Sequence, residues 1–87
     1  HVTAQQDFTM TVVTSPEAAR VRIYNEYGLH IGIKSASVQL IDGQKVWTIT
    51  TQIGTAGMGR QLSVKAKNKY GTYSDAILTA RFDVLRG

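Results

Sequence analysis

Val64-Lys65-Ala66-Lys67-Asn68-Lys69-Tyr70-Gly71 restates, 43 positions on, the pattern of Val21-Arg22-Ile23-Tyr24-Asn25-Glu26-Tyr27-Gly28. Both segments fit V-[RK]-x-x-N-[EK]-Y-G, a run of alternating polarity that ends in Asn-x-Tyr-Gly. Asn bonds its neighbouring backbone and tolerates left-handed φ, and Gly accepts positive φ without a steric penalty, so each segment reads as a strand entering a turn. Two such units in one short chain predict an all-β domain with two similar corners, both expected at the same pole.

Strand periodicity extends outward from these units. Asp7 to Thr14 alternates with Phe8, Met10 and Val12 on one face. Ser15-Pro16-Glu17-Ala18-Ala19 interrupts it at the chain's one proline, and Pro16 to Arg20 is the best candidate for a short helical turn. Arg20 to Tyr24 resumes with Val21 and Ile23 inward and Arg20, Arg22 and Tyr24 outward. Leu29, Ile31 and Ile33 then alternate with His30, Gly32 and Lys34. Asp42-Gly43 between Ala36–Ile41 and Lys45–Ile53 signals a hairpin; a two-residue loop sets Val38 opposite Trp47 and Ala36 opposite Ile49, and a four-residue loop keeps the same faces together. Gly54 to Gly59 reads as a loop. Arg60 to Asn68 is a strand with Leu62, Val64 and Ala66 inward; in Ile77 to Val84 the inward set is Leu78, Ala80, Phe82 and Val84. Seven strands at this spacing predict one antiparallel β-sandwich over residues 7–85, flanked by 1–6 and 86–87.

Composition agrees. The 87 residues allow one domain, and with no cysteine its stability rests on a core that 43% apolar residues can build. The longest apolar runs are far below the ~20 residues that span a bilayer, which argues against membrane insertion. A net charge of +4 is mild, and neither a nucleic-acid motif nor stacking aromatics among the basic residues accompanies it, so no nucleic-acid partner is expected. The start at His1-Val2-Thr3 and the end at Arg86-Gly87 suggest a piece of a longer polypeptide.

The segment Leu62-x-Val64-x-Ala66-x-Asn68-x-x-Gly71-x-x-Ser74 resembles fibronectin type III and related immunoglobulin-like modules. Thr14-Ser15-Pro16 through Gly28, Trp47-Thr48-Ile49-Thr50 and Gly57-x-x-Arg60-x-Leu62 look like the immunoglobulin-like repeats of bacterial secreted and surface proteins. The resemblance implies a seven-stranded Greek-key sandwich, an extracellular or cell-surface location, and neighbouring domains of the same polypeptide as partners. Four features depart from it: Leu62 stands where the tyrosine corner keeps its Tyr, there is no Cys pair, Trp47 falls on the fifth expected strand and not on the one where these families keep their core Trp, and no Arg-Gly-Asp occurs.

Chemistry for catalysis is sparse. His1 and His30 lack an evident nucleophile partner among Ser15, Ser35, Ser37, Ser63 and Ser74. The carboxylates stand singly; Asp42, Asp75 and Asp83 show no spacing that concentrates calcium ligands. The G-x-x-G-x-G of Gly54 to Gly59 is followed by strand periodicity, whereas a phosphate-binding turn opens a helix. No enzyme activity and no cofactor are expected. Trp47 shares a face with Ile49 and Val38, which favours core packing over a sugar-stacking platform.

Two surfaces remain as binding candidates. If the third, sixth and seventh strands neighbour one another, Lys34, Lys65, Lys67 and Arg81 share an outer face with His30 and could meet an anionic polymer. Tyr27 and Tyr70, with Tyr24 and Tyr73 nearby, would cluster at the shared pole as a recognition surface or as plugs over the core end. The expected function is a non-catalytic spacer or interaction module. The alternative is a carbohydrate- or polyanion-binding module attached to a glycan-active enzyme, with cell-wall or host glycans and proteins as ligands.

Overall fold

The computed structural model describes residues 1–74 and 76–87, so Asp75 lies outside the described residues. The chain forms β1 (Val2–Thr3), β2 (Phe8–Thr14), β3 (Ala18–Tyr24), β4 (His30–Ile31), β5 (Ile33–Ile41), β6 (Gln44–Thr51), β7 (Gly57–Arg60), β8 (Ser63–Asn68), β9 (Ile77–Leu78) and β10 (Phe82–Leu85). Their sheets have the orders β2-β6-β5, β4-β3-β8-β9 and β1-β10-β7. The fold is all-β and sandwich-like, with one core shared by the sheets: Val12 of β2, Trp47 and Ile49 of β6, Val21 and Ile23 of β3, Val64 and Ala66 of β8, and Val84 of β10.

Alternation produces this core. Val21 and Ile23 pair with Ala66 and Val64 across β3 and β8, so one face of both strands is apolar. Ile23, Ile49, Leu62, Val64 and Val84 are fully buried, each contributing on the order of 1.5–3 kcal/mol of transfer free energy. Polar groups brought inside are satisfied. Trp47 Nε1 donates to Thr14 Oγ1 at 2.8 Å, and Thr51 Oγ1 to the Gly32 carbonyl at 2.7 Å. Trp47 is therefore a core residue.

The hairpin has the expected register, with Val38 opposite Trp47 and Ala36 opposite Ile49. Asp42 (φ 50°) and Gly43 (φ 77°) are both left-handed, the signature of a type I′ two-residue turn whose twist matches its strands. Pro16 sits in a tight turn instead of a helical one, with Ala18 N–H donating to the Ser15 carbonyl at 3.2 Å.

Three expected strands divide because the chain changes sheets. At Gly32 it leaves β3, where Ile31 pairs with Ile23, and joins β6, where Ile33 pairs with Thr51. The Gly57–Arg60 stretch, expected as loop and strand start, is β7 and pairs with β10. The last strand splits into β9 on β8 and β10 on β7, and the alternation slips between them. Ile77 thus stands opposite buried Val64, and Leu78 opposite outward Ser63, the reverse of the expected assignment.

Val2–Thr3, in the segment expected to flank the domain, pairs in parallel with Val84 and Leu85, and Ala4 is buried. With β1 present the expected second strand is β3, and with β7 also added the expected sixth is β8. β3 and β8 are antiparallel neighbours: Tyr24 lies opposite Ser63, and Ala18 opposite Asn68.

Candidate functional site

The pairing of β3 with β8 assembles the most distinctive surface of the molecule. Inward positions on both strands are apolar, so Arg20 and Arg22 must point outward, as must Lys65 and Lys67. Register sets Arg20 directly opposite Lys67 and Arg22 directly opposite Lys65. Neighbouring strands lie about 4.8 Å apart and successive outward residues roughly 7 Å apart, so four cations occupy one compact rectangle. None of the four has an acidic partner among the described residues; the ion pairs there are Lys34–Asp7 and Arg60–Glu26. Like charges directly across a ladder cost stability, on the order of 0.2–1 kcal/mol per pair.

Two tyrosines frame the rectangle. Lys65 Nζ lies 5.6 Å from the centre of the Tyr24 ring, and Lys67 Nζ 5.4 Å from that of Tyr73. Arg22 approaches Tyr73 from 5.9 Å. His30 meets Tyr24 edge to face at 5.8 Å. These rings hold cations over their faces, which softens the charge repulsion and fixes the long side chains.

The other predicted site residues do not join it. Lys34 is on β5, in the other sheet, bound to Asp7 at 2.7 Å. Arg81 follows β9 and donates to the Gly59 carbonyl at 2.9 Å. The third strand is separated from the sixth by β3, so the shared face expected for Lys34, Lys65, Lys67 and Arg81 does not form. Arg20 and Arg22 complete the face instead. Their outward orientation was legible from alternation; their neighbours depended on strand order.

The tyrosine cluster is corrected in the same way. Because β3 and β8 run antiparallel, the turn after β3 and the turn after β8 lie at opposite ends, on the order of 20 Å apart. Tyr27 and Tyr70 are 81% and 80% exposed, so neither plugs the core. Tyr24 and Tyr73 belong to the cationic face. Beside Tyr70, the turns at Pro16–Glu17 and Asn68–Tyr70 border an open cleft of about 540 Å³ with Lys45 and Lys69, and Arg20 and Lys67 flank the far side of the second turn.

Elsewhere, Asp83, Asp42 and Glu26 have structural roles. Asp83 Oδ1 accepts from Gly59 N–H at 3.0 Å and ties β10 to β7. Asp42 forms the I′ turn. Among the described residues no group of three or more His, Cys, Asp or Glu converges as a metal site, and no helix is long and apolar enough to cross a membrane. Glu26 is the one strongly shifted carboxylate among the described residues. Arg60 Nε donates to both of its oxygens, at 3.0 and 2.9 Å, and Gln61 N–H to Oε2 at 3.0 Å. The Arg60 hydrogen bonds lead in drawing its pKa from 4.5 to about 2, and the same pairing raises that of Arg60. This clamp joins the first turn to β7.

Comparison with protein-family models, with curated proteins and with solved structures found no match for this chain.

Proposed function

We propose that this chain is a non-catalytic, immunoglobulin-like interaction module of a larger secreted or cell-surface bacterial protein, and that it binds an anionic glycopolymer through the β3–β8 face. The observation that carries the binding reading is the direct opposition of Arg20 to Lys67 and of Arg22 to Lys65, with no acidic partner among the described residues. That arrangement costs folding stability, and an array of sulfate, phosphate or carboxylate groups would reverse the cost. The faces of Tyr24 and Tyr73 are occupied by cations, which favours recognition of spaced negative charge over stacking on nucleic-acid bases.

The immunoglobulin-like part of the reading is supported by strand order. With β1 counted first, β5-β6-β2 corresponds to strands D-E-B, β4-β3-β8-β9 to C′-C-F-G, and β1 runs beside the last strand. The location and the larger parent protein rest on the resemblance of Leu62 through Ser74 to such modules.

The test is binding to heparin and to a polyol-phosphate polymer across a salt series, with duplex DNA as a third ligand. The expected result is affinity for the glycopolymers that falls as salt rises, and a loss of about tenfold or more in Arg22→Glu/Lys65→Glu. Lys34→Gln, on the other sheet, should leave it unchanged. No binding at low salt, indifference to the double variant, or stronger binding to DNA overturns the proposal; the first of these leaves a spacer role.

A further inference from the structure

The sheet on the opposite side of the sandwich carries a second, chemically unlike surface. Its outward residues form three rows: Thr9–Thr50–Ser35, Thr11–Thr48–Ser37 and Val13–Val46–Gln39. No charge occurs among them. At the margin of this sheet, β5 is paired with β6 on one side only.

β5 lacks the usual protections of an edge strand. From Ser35 to Ile41 it holds no charge, proline or glycine, and the one irregularity in its pairing is confined to the Ile33–Ser35 end. All seven of these residues are exposed. Ala36, Val38 and Leu40 lie on the same side of the sheet as buried Trp47 and Ile49, yet Val38 is 43% and Leu40 69% exposed. The inner apolar face therefore continues past the region that β4-β3-β8-β9 covers.

Backbone direction follows from the turn. The pair flanking a two-residue hairpin loop, here Ile41 and Gln44, exchanges both hydrogen bonds, and bonded pairs alternate from there. Ser35, Ser37 and Gln39 thus bond inward to β6. Ala36, Val38 and Leu40 direct their N–H and C=O groups to the open edge.

We propose that β5 pairs antiparallel with β5 of a second copy of this chain, about a two-fold axis at Ser37, to give a continuous six-stranded sheet. The segment is self-complementary in that register: Ala36 faces Val38 of the other copy on the apolar side, and Ser35 faces Gln39 on the polar side. Each Ala36–Val38 pair supplies outward N–H and C=O groups to both strands. Neutrality of Ser35 to Ile41 favours a like partner, because this stretch offers nothing to a charged strand and sets no like charges of two copies directly opposite one another. The four-cation face belongs to the other sheet and stays open in the dimer, so this inference is independent of the proposed ligand.

Sedimentation equilibrium from about 10 µM to about 1 mM tests it, a range suited to a small polar interface. The expected result is a reversible monomer–dimer equilibrium that changes little with salt. Val38→Lys and, separately, Leu40→Lys should weaken it about tenfold or more while leaving the thermal transition in place, because both side chains are exposed in the monomer. Arg22→Glu/Lys65→Glu should leave dimerisation unchanged. A chain that stays monomeric throughout, a dimer that survives both lysine variants, or a monomer that takes up an unrelated extended peptide along β5 overturns the second-copy assignment.

Discussion

The turn at Asn25–Gly28 and the turn at Asn68–Gly71 are built with the same bonds and used differently. Asn25 Oδ1 accepts from Tyr27 and Leu29 N–H, each at 2.9 Å, and Asn68 Oδ1 accepts from Tyr70 and Thr72 N–H at 2.9 and 3.0 Å. Both close with a glycine N–H on the Asn carbonyl at 3.0 Å, and both glycines are left-handed, with φ of 82° and 86°. The residue after Asn separates them. Glu26 is clamped by Arg60 and Gln61, whereas among the described residues Lys69 finds only the ring of Tyr70, 5.1 Å away. One turn is fastened to its neighbouring strand, and the other stands free beside the cationic face. A repeated motif therefore specifies a backbone shape without specifying its surroundings.

The shared part of this comparison carries the largest expected effects. Asn25→Ala and Asn68→Ala each leave two turn N–H groups without their acceptor, and each should lower unfolding free energy by about 1–2 kcal/mol in chemical denaturation. Similar losses at the two sites sharpen the equivalence; a negligible loss at either breaks it. Gly28→Ala and Gly71→Ala come next, at about 1 kcal/mol each, because a Cβ is strained at these φ values although neither site is crowded.

The part that differs is smaller and depends on pH. The folded-state pKa of Glu26 lies below its ordinary 4.5, so its contribution is complete above pH 4.5 and is lost as pH falls toward about 2. Its side chain is 21% exposed and that of Arg60 14%, so Glu26→Gln should cost about 0.5–1 kcal/mol at neutral pH. The variant should also flatten the acid limb of stability between those values, as measured by melts across pH. Lys69→Gln should leave that limb unchanged. Smallest of all, Tyr27→Ala and Tyr70→Ala should each shift stability by less than about 0.5 kcal/mol, since both rings are exposed. A larger loss at Tyr70 than at Tyr27 would restore a packing role to the second turn.

Much of the local structure was legible in the residues. Asp42-Gly43 signalled a hairpin and the faces that pair across it; the left-handed Asp42 and Gly43 then select the two-residue alignment. Alternation placed Val21, Ile23, Val64 and Ala66 inside and Arg20, Arg22, Lys65 and Lys67 outside. The face those four cations form was not legible. A period of two states which side of a strand is buried and says nothing of which strand lies beside it.

By itself, then, the sequence determined the all-β class, the hairpin, the inward set of the long strands and the conformation of both Asn turns. Each depends on contacts within a few residues. Only the tertiary structure decided the edges and neighbours. β1 is two residues long and carries no periodic signal, yet it pairs with β10 and stands ahead of the strand expected to be first. The crossings at Gly32 and between β9 and β10 depend on which sheet offers free backbone groups at that point. Such choices are settled by long-range hydrogen bonding and burial. Through them the two tyrosine turns came to opposite ends, and the arginines of β3 came to lie beside the lysines of β8.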